Sequence, residues 1–165
     1  MGLSFTVFGA ALLAQDDAKI DLARACLMVA QDAYPGLDVE RYLADLDRMG
    51  ERLRAEHADA TAVEDKIIAL NEFLFDDLGY SGNADDYYDP RNSYLNEVMD
   101  RRTGIPITLS IVMASVASRA GLKVEFLNVP GHFRCGVRDE NYVDPEKPGT
   151  RSEEHTSELQ SPDHL

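Results

Sequence analysis

Apolar residues recur at helical spacing through the first half of the chain and predict three helices. The first extends from Asp16 to a break at Tyr34-Pro35-Gly36, the second starts after a cap at Asp38, and the third ends before Gly79. Thr61-Ala62-Val63-Glu64 has the form of a capping box for the third helix. The positions predicted to face the core are Leu22, Cys26, Val29 and Ala33, then Val39, Leu43, Leu46 and Leu53, then Val63, Ile67, Leu70, Leu74 and Leu78.

The pattern changes in the second half, where two helices precede three strands. A short helix is predicted over 94–102 with Asn92 or Ser93 as its cap, and a longer one begins at Pro106, because proline suits the first helical position. Apolar alternation and a Pro130-Gly131 turn then predict strands over 122–129, 132–137 and 141–145.

These elements predict an α+β fold in which an N-terminal helical bundle packs on a small antiparallel sheet. We divide the chain into an apolar N-terminal segment (1–15), a helical part (16–84), an incomplete core (85–150) and a tail (151–165). The tail resembles the in-frame translation of a sequencing-library adapter. It is polar and aperiodic, so we predict that it is non-native and makes no packed contact.

Composition restricts the partners. The 165 residues carry a formal charge of −14, which disfavours nucleic acid and anionic membranes as partners but by itself names no partner. The apolar run near the N-terminus is too short to span a bilayer, and we treat the myristoylation pattern at Gly2 as a chance match. Cys26 and Cys135 are expected to be free thiols in a reduced, cytoplasmic protein.

No cofactor or metal is predicted. The paired acids Asp85 and Asp86 lie in a turn-rich segment that is better interpreted as a solvated loop, because an oxygen-ligand site needs more convergent groups.

Three motifs carry a family resemblance. They are Tyr87-Tyr88-Asp89-Pro90-Arg91-Asn92-Ser93-Tyr94-Leu95-Asn96-Glu97-Val98, Arg102-Thr103-Gly104-Ile105-Pro106-Ile107-Thr108-Leu109-Ser110, and Pro130-Gly131-His132-Phe133. In this order they closely resemble the SirB-type transglutaminase-like family, over about residues 21–145. The resemblance implies a truncated papain-like core whose active members place a cysteine, a histidine and an aspartate in one site.

The same resemblance indicates a degenerate triad. His132 and Asp144 match the base and its orienting carboxylate, whereas Pro106 stands where the cysteine nucleophile belongs. One hypothesis is therefore a non-catalytic module that binds a protein or a small molecule, or serves as a scaffold. The alternative is a hydrolase or acyltransferase that uses His132 and Asp144 with Ser110, Thr108 or an activated water. We favour the first, because nucleophilic catalysis needs both a nucleophile and a base and only the base is identifiable.

Overall fold

The computed structural model describes residues 20–129, 132–138 and 156–159, and its description of side chains extends to residue 124. The helices in these ranges are α1 (Leu22–Ala30), α2 (Val39–Glu56), α3 (Val63–Asn71), α4 (Leu95–Arg101) and α5 (Pro106–Arg119). A π-helical segment, Glu72–Asp77, continues α3, and a 3-10 turn, Pro90–Ser93, precedes α4. The strands are β1 (Ser81–Gly82), β2 (Thr103–Gly104), β3 (Val124–Val129), β4 (His132–Arg138) and β5 (Thr156–Leu159). None of the described helices is long and apolar enough to cross a membrane.

The core forms where α2 packs against α5. The α2 helix begins as predicted, because the Asp38 carboxylate accepts a hydrogen bond from the Arg41 backbone N–H at 3.1 Å. Its apolar face is fully buried at Leu46, and α5 contributes Val112 and Val116, also fully buried. The predicted apolar face of the second helix is confirmed.

The predicted buried face of α1 is wrong by about one position. The helix is capped by Asp21 and buries Ala23, Leu27 and Ala30, whereas Leu22 and Val29 stay 37% and 44% exposed. Alanines at the contact positions let the helix lie close to its neighbours.

The third helix ends before Gly79 as predicted, because its π-helical continuation has Leu78 as its C-cap, but its start differs from the prediction. Ala62 occupies the cap position and makes no side-chain hydrogen bond, so the predicted capping box is wrong. The π-helical segment then shifts the register and buries the adjacent residues Phe73 and Leu74.

The α+β class is confirmed, but the sheets need one correction. We predicted antiparallel strands only, whereas β1 and β2 form a parallel pair in which Ser81 lies opposite Thr103. A two-residue strand has no periodicity by which sequence could reveal it. Separately, β3 pairs antiparallel with β4, from Val124 opposite Val137 to Val129 opposite His132. Both β3 and β4 lie against α5.

The tail also needs correction. Thr156–Leu159 forms β5, which pairs antiparallel with Cys135–Arg138 of β4, so the prediction that residues 151–165 make no packed contact is wrong. Its suggested adapter origin stays a prediction. The predicted strand over 141–145 lies outside the described residues.

Candidate functional site at the start of α5

The candidate site is built around the first turn of α5. Pro106 is the first helical residue, and Ile105 before it is extended, with φ −94° and ψ 163°. Proline is stable there because the first N–H groups of a helix have no partner within it. Ile107, the next residue, remains 45% exposed. The position that would carry a reactive side chain therefore presents a pyrrolidine ring.

The Thr108 hydroxyl stabilises this turn. Its oxygen accepts a hydrogen bond from the Ile105 backbone N–H at 3.2 Å and lies 2.8 Å from the Asn92 carbonyl and 3.0 Å from the Ile105 carbonyl. The side chain is buried. Thr108 thus holds the helix cap, and its single hydroxyl proton is directed at backbone carbonyls.

Asn92 connects the preceding loop to the helix start. It is fully buried, accepts a hydrogen bond from the Asn83 side-chain amide at 3.0 Å, and donates to the carbonyls of Asp86 and Tyr87 at 2.8 and 3.1 Å. We predicted that Asn92 or Ser93 caps α4. Instead, the cap position is Tyr94 and Asn92 organises the loop over 83–92.

An ion-paired carboxylate lies beside Asn92 in sequence. Asp89 accepts hydrogen bonds from the Arg91 backbone N–H at 3.0 Å and from the Arg91 Nε at 2.9 Å, and Arg101 Nη1 lies 3.6 Å away. These contacts, the Arg91 side-chain hydrogen bond above all, hold the pKa of Asp89 below its usual range. Asp89 is therefore a fixed anion that stabilises the loop.

The chain reaches α5 through a sharp turn. Arg102 ends α4 in the left-handed conformation, with φ 54°, and donates a hydrogen bond from its side chain to the Leu78 carbonyl at 2.8 Å. At Gly104 an added Cβ would lie 2.8 Å from Thr108 Oγ1 and 3.0 Å from the Val98 methyl groups. Glycine is thus required for the loop, α4 and α5 to meet at this point.

Of the other predicted site residues, two lie in elements that the structure describes. Ser110 lies within α5 and is buried. His132 is the first residue of β4, and its backbone pairs with Val129. Asp144 lies outside the described residues. The strand that carries His132 runs beside the helix that carries Pro106, so the two belong to neighbouring elements.

The only thiol whose side chain is described belongs to another element. Cys26, on α1, is a half-buried free cysteine, and burial, followed by the charge of Asp21, raises the pKa of its thiol. A thiol with a raised pKa forms little of the thiolate that nucleophilic attack requires. Within the described part of the chain, no group of three or more His, Cys, Asp and Glu residues could hold a metal ion.

Two structural features of the site were missed from the sequence: the Asn92 network and the β1–β2 pair. Asp89, Asn92 and Thr108 all belong to the motifs recognised in the sequence. Their structural roles could not be predicted, because they depend on contacts such as the hydrogen bond between Asn92 and Thr108, which are 16 residues apart.

Several known proteins are similar to this chain in sequence. A UPF0162 protein of Xylella fastidiosa is 44% identical over 118 residues, which are 72% of this chain and 42% of that protein. A UPF0162 protein of Haemophilus influenzae is 33% identical over 85 residues, which are 50% of this chain and 32% of that protein. F-box only protein 21 of Mus musculus is 45% identical over 65 residues, 39% of this chain and 10% of that protein.

The chain thus spans less than half the length of these relatives. No solved structure matches it. The model of the transglutaminase-like superfamily matches residues 40–160, which include all of α2 except its first residue, α3 to α5 and all five described strands. This protein therefore belongs to the transglutaminase-like superfamily.

Proposed function

We propose that this chain is a SirB-type transglutaminase-like domain that lacks nucleophilic catalysis and serves as a binding or scaffold module. The observation that carries the proposal is Pro106 at the first position of α5. In the active enzymes that the sequence resembles, this turn holds a cysteine whose thiolate is stabilised by the helix dipole and a neighbouring imidazolium. Proline has no side-chain atom that can attack an acyl carbon.

The surroundings of Pro106 support the same proposal. Thr108 is buried, and its hydroxyl is used by the helix cap and by the Asn92 carbonyl. Ser110 is 6% exposed, within the body of the helix, so a substrate carbonyl has little access to it. A replacement nucleophile would need both exposure and a base within hydrogen-bond reach.

The ligand that we propose is a protein or a small molecule in the cytoplasm. A formal charge of −14 repels nucleic acid and anionic lipid surfaces. The half-exposed Ile107 gives the start of α5 an apolar contact surface. No cofactor is needed for such a role.

The test restores the missing thiol. Pro106→Cys should be tolerated, because the first helical position needs neither proline nor a partner for its N–H. Labelling with iodoacetamide, assigned to individual residues by mass spectrometry, should modify the introduced thiol at least about tenfold faster than Cys26, which is half-buried with a raised pKa.

Adding His132→Ala to Pro106→Cys tests the remaining base. Slower labelling of the double variant would support a vestigial pair, and equal labelling would show that His132 does not act on this position.

The parent chain should show no turnover in a broad acyl-transfer and amidase screen. Parent turnover that disappears in His132→Ala would contradict the proposal. A further loss in Ser110→Ala, with Thr108→Ser unaffected, would identify Ser110 as the nucleophile of the alternative hydrolase or acyltransferase.

A further inference from the structure

A cavity lies at the opposite end of α5 from Pro106. It occupies about 270 Å³ where the end of α2, the middle of α3 and the turn after α5 converge. Its apolar wall includes Leu53 and Ala69, both buried, and Leu122, half-buried. A helix of 14 residues is about 20 Å long, so this cavity is separate from the site around Pro106.

The charged side chains that line this cavity are all basic. Arg54, His57 and Lys66 line it together with small apolar residues, and no aspartate or glutamate among the residues with described side chains does so. This is notable in a chain with 30 acidic and 16 basic residues. The nearby carboxylate of Glu56 is directed elsewhere, since it accepts a hydrogen bond from Arg52 at 2.7 Å.

Most other arginines of the described helices have carboxylate partners. Arg24 pairs with Glu40 at 2.5 Å, and Arg119 pairs with Asp21 and Asp47 at 3.1 and 2.6 Å. Within the described part of the chain, the side chains of Arg54 and Lys66 make no ion pair. Two cations that have no carboxylate partner among the described side chains, and that line one apolar cavity, form a site complementary to an anion.

We propose that this cavity binds a carboxylate attached to a short apolar body. The Arg54 guanidinium can donate two parallel hydrogen bonds to a carboxylate, with Lys66 as a second cation, while the apolar part of the ligand contacts Leu53, Ala69 and Leu122. A carboxylate suits the site better than inorganic phosphate, because phosphate offers nothing to the apolar wall. This inference is independent of the catalytic status of α5.

The experiment titrates the intact chain with hexanoate and follows protein NMR shifts and calorimetry. We expect saturable binding with a Kd of about 1 mM, within reach of a ligand of this size. Hexanol, which lacks the charge, and inorganic phosphate, which lacks the apolar body, should each bind at least about tenfold more weakly. Equal binding of all three, or no saturable shift of residues at the cavity, would overturn the proposal.

Charge variants test the residues. Arg54→Gln and Lys66→Gln should each weaken hexanoate binding by about tenfold. Arg48→Gln is the matched control, because it removes the same charge from the same helix at a residue that is paired with Asp45 and does not line the cavity. It should change the Kd by less than about twofold. An equal effect of Arg48→Gln would show non-specific charge attraction and overturn the proposal.

Arg54 also lies in the last turn of α2, where a cation stabilises the helix by itself. A change in melting temperature without a change in hexanoate affinity would assign Arg54 this structural role alone, and would also overturn the proposal.

The source of the carboxylate is distinguished by competition. A short peptide ending in leucine with a free C-terminus should displace hexanoate if the natural ligand is a protein C-terminus, and its C-terminal amide should not. Failure of both peptides, with hexanoate bound, assigns the cavity to a free organic acid.

Discussion

Two buried tyrosines near the junction of α2 and α4 differ in whether the hydroxyl has a partner. The Tyr42 hydroxyl donates a hydrogen bond to the Asp100 carboxylate at 2.6 Å. The Tyr80 hydroxyl is buried and has no hydrogen-bond partner among the described residues. A buried polar group without a partner destabilises a fold by about 1–3 kcal/mol. The two hydroxyl groups therefore contribute to the free energy of unfolding with opposite signs.

Replacing each tyrosine by phenylalanine should separate these contributions. Tyr80→Phe removes an unsatisfied hydroxyl and is expected to raise the free energy of unfolding by about 1 kcal/mol. Tyr42→Phe loses a hydrogen bond to a charged group and should lower it by about 1 kcal/mol. Urea unfolding at neutral pH measures both. If Tyr80→Phe destabilised the chain, the hydroxyl would have to be satisfied in solution.

The pKa values of the two tyrosines predict that the protein loses stability at alkaline pH. Burial, together with the hydrogen bond to Asp100 for Tyr42, raises the pKa of each phenol to about 12. A tyrosine in the unfolded chain ionises near pH 10, so between about pH 10 and 12 the folded state holds the proton more tightly. The stabilisation is complete below pH 10 and is lost as the pH rises through 12.

The free energy of unfolding should therefore fall between pH 10 and 12, and less steeply in the Tyr42→Phe/Tyr80→Phe double variant. Tyr88→Phe serves as the control, because that side chain is 90% exposed. If the free energy of unfolding fell equally steeply with pH in the parent and the double variant, ionisation of Tyr42 and Tyr80 would not be the cause of the loss.

Sequence alone could not assign individual buried polar side chains. Asn92 fits a helix cap by residue type, yet it forms hydrogen bonds to a loop that begins nine residues earlier. The preference of asparagine for caps and turns is local, whereas the contacts that fix Asn92 depend on the folded path of the chain.

Elements were predicted better than the faces they bury. The helices at α2 and α5 begin where Asp38 and Pro106 indicate, because a cap and an N-terminal proline act locally. The buried face of α1 was predicted wrongly because the large apolar residues Leu22 and Val29 dominate the hydrophobic pattern of the sequence. The smaller residues Ala23 and Ala30 are the ones that are buried. The strands β1 and β2 were missed because pairing between residues about 20 apart leaves no local pattern.

The close contact between α2 and α5 predicts that Gly50 cannot be replaced by a larger residue without loss of stability. A Cβ added at Gly50 would lie 2.5 Å from Arg119 Cβ and 3.0 Å from its carbonyl carbon. By helix propensity alone, Gly50→Ala should stabilise α2 by about 1 kcal/mol. We expect the clash to outweigh this gain and to give a net destabilisation of about 1–3 kcal/mol in urea unfolding, because the backbones must move apart.

Glu51→Ala is the matched control on α2, since Glu51 is exposed and its replacement changes propensity without touching α5. It should alter stability by less than about 0.5 kcal/mol. A stabilised Gly50→Ala variant would show that α2 and α5 are less closely packed than described.

At the scale of the whole molecule, the candidate site combines segments far apart in sequence. The start of α5 follows from the motif Gly104-Ile105-Pro106, and its position beside β4 depends on how the sheet packs on the helix. The order of motifs was sufficient to predict the superfamily, because three matches in one order are specific. The position of the His132 side chain relative to Pro106 could not be predicted, since it depends on register and packing together.

The tail over 151–165 is expected to contribute little to the thermal stability of the chain. Among the residues whose side chains are described, which end at residue 124, the buried hydrophobic core comes from residues 23–117 and joins all five helices. Deleting 151–165 should therefore change the melting temperature by less than about 2 °C, which corresponds to about 0.5–1 kcal/mol for a chain of this size.

The deletion should nevertheless change association. Without β5, the edge of β4 over Cys135–Arg138 loses its partner strand, and an unpaired edge is a template for pairing with another chain. Sedimentation of the deletion variant should show more self-association than the parent at equal concentration. A variant with a scrambled tail of the same composition controls for charge and length. If it and the deletion variant sediment like the parent, β5 does not protect the sheet; a loss of several degrees on deletion would instead make the tail part of the cooperative fold.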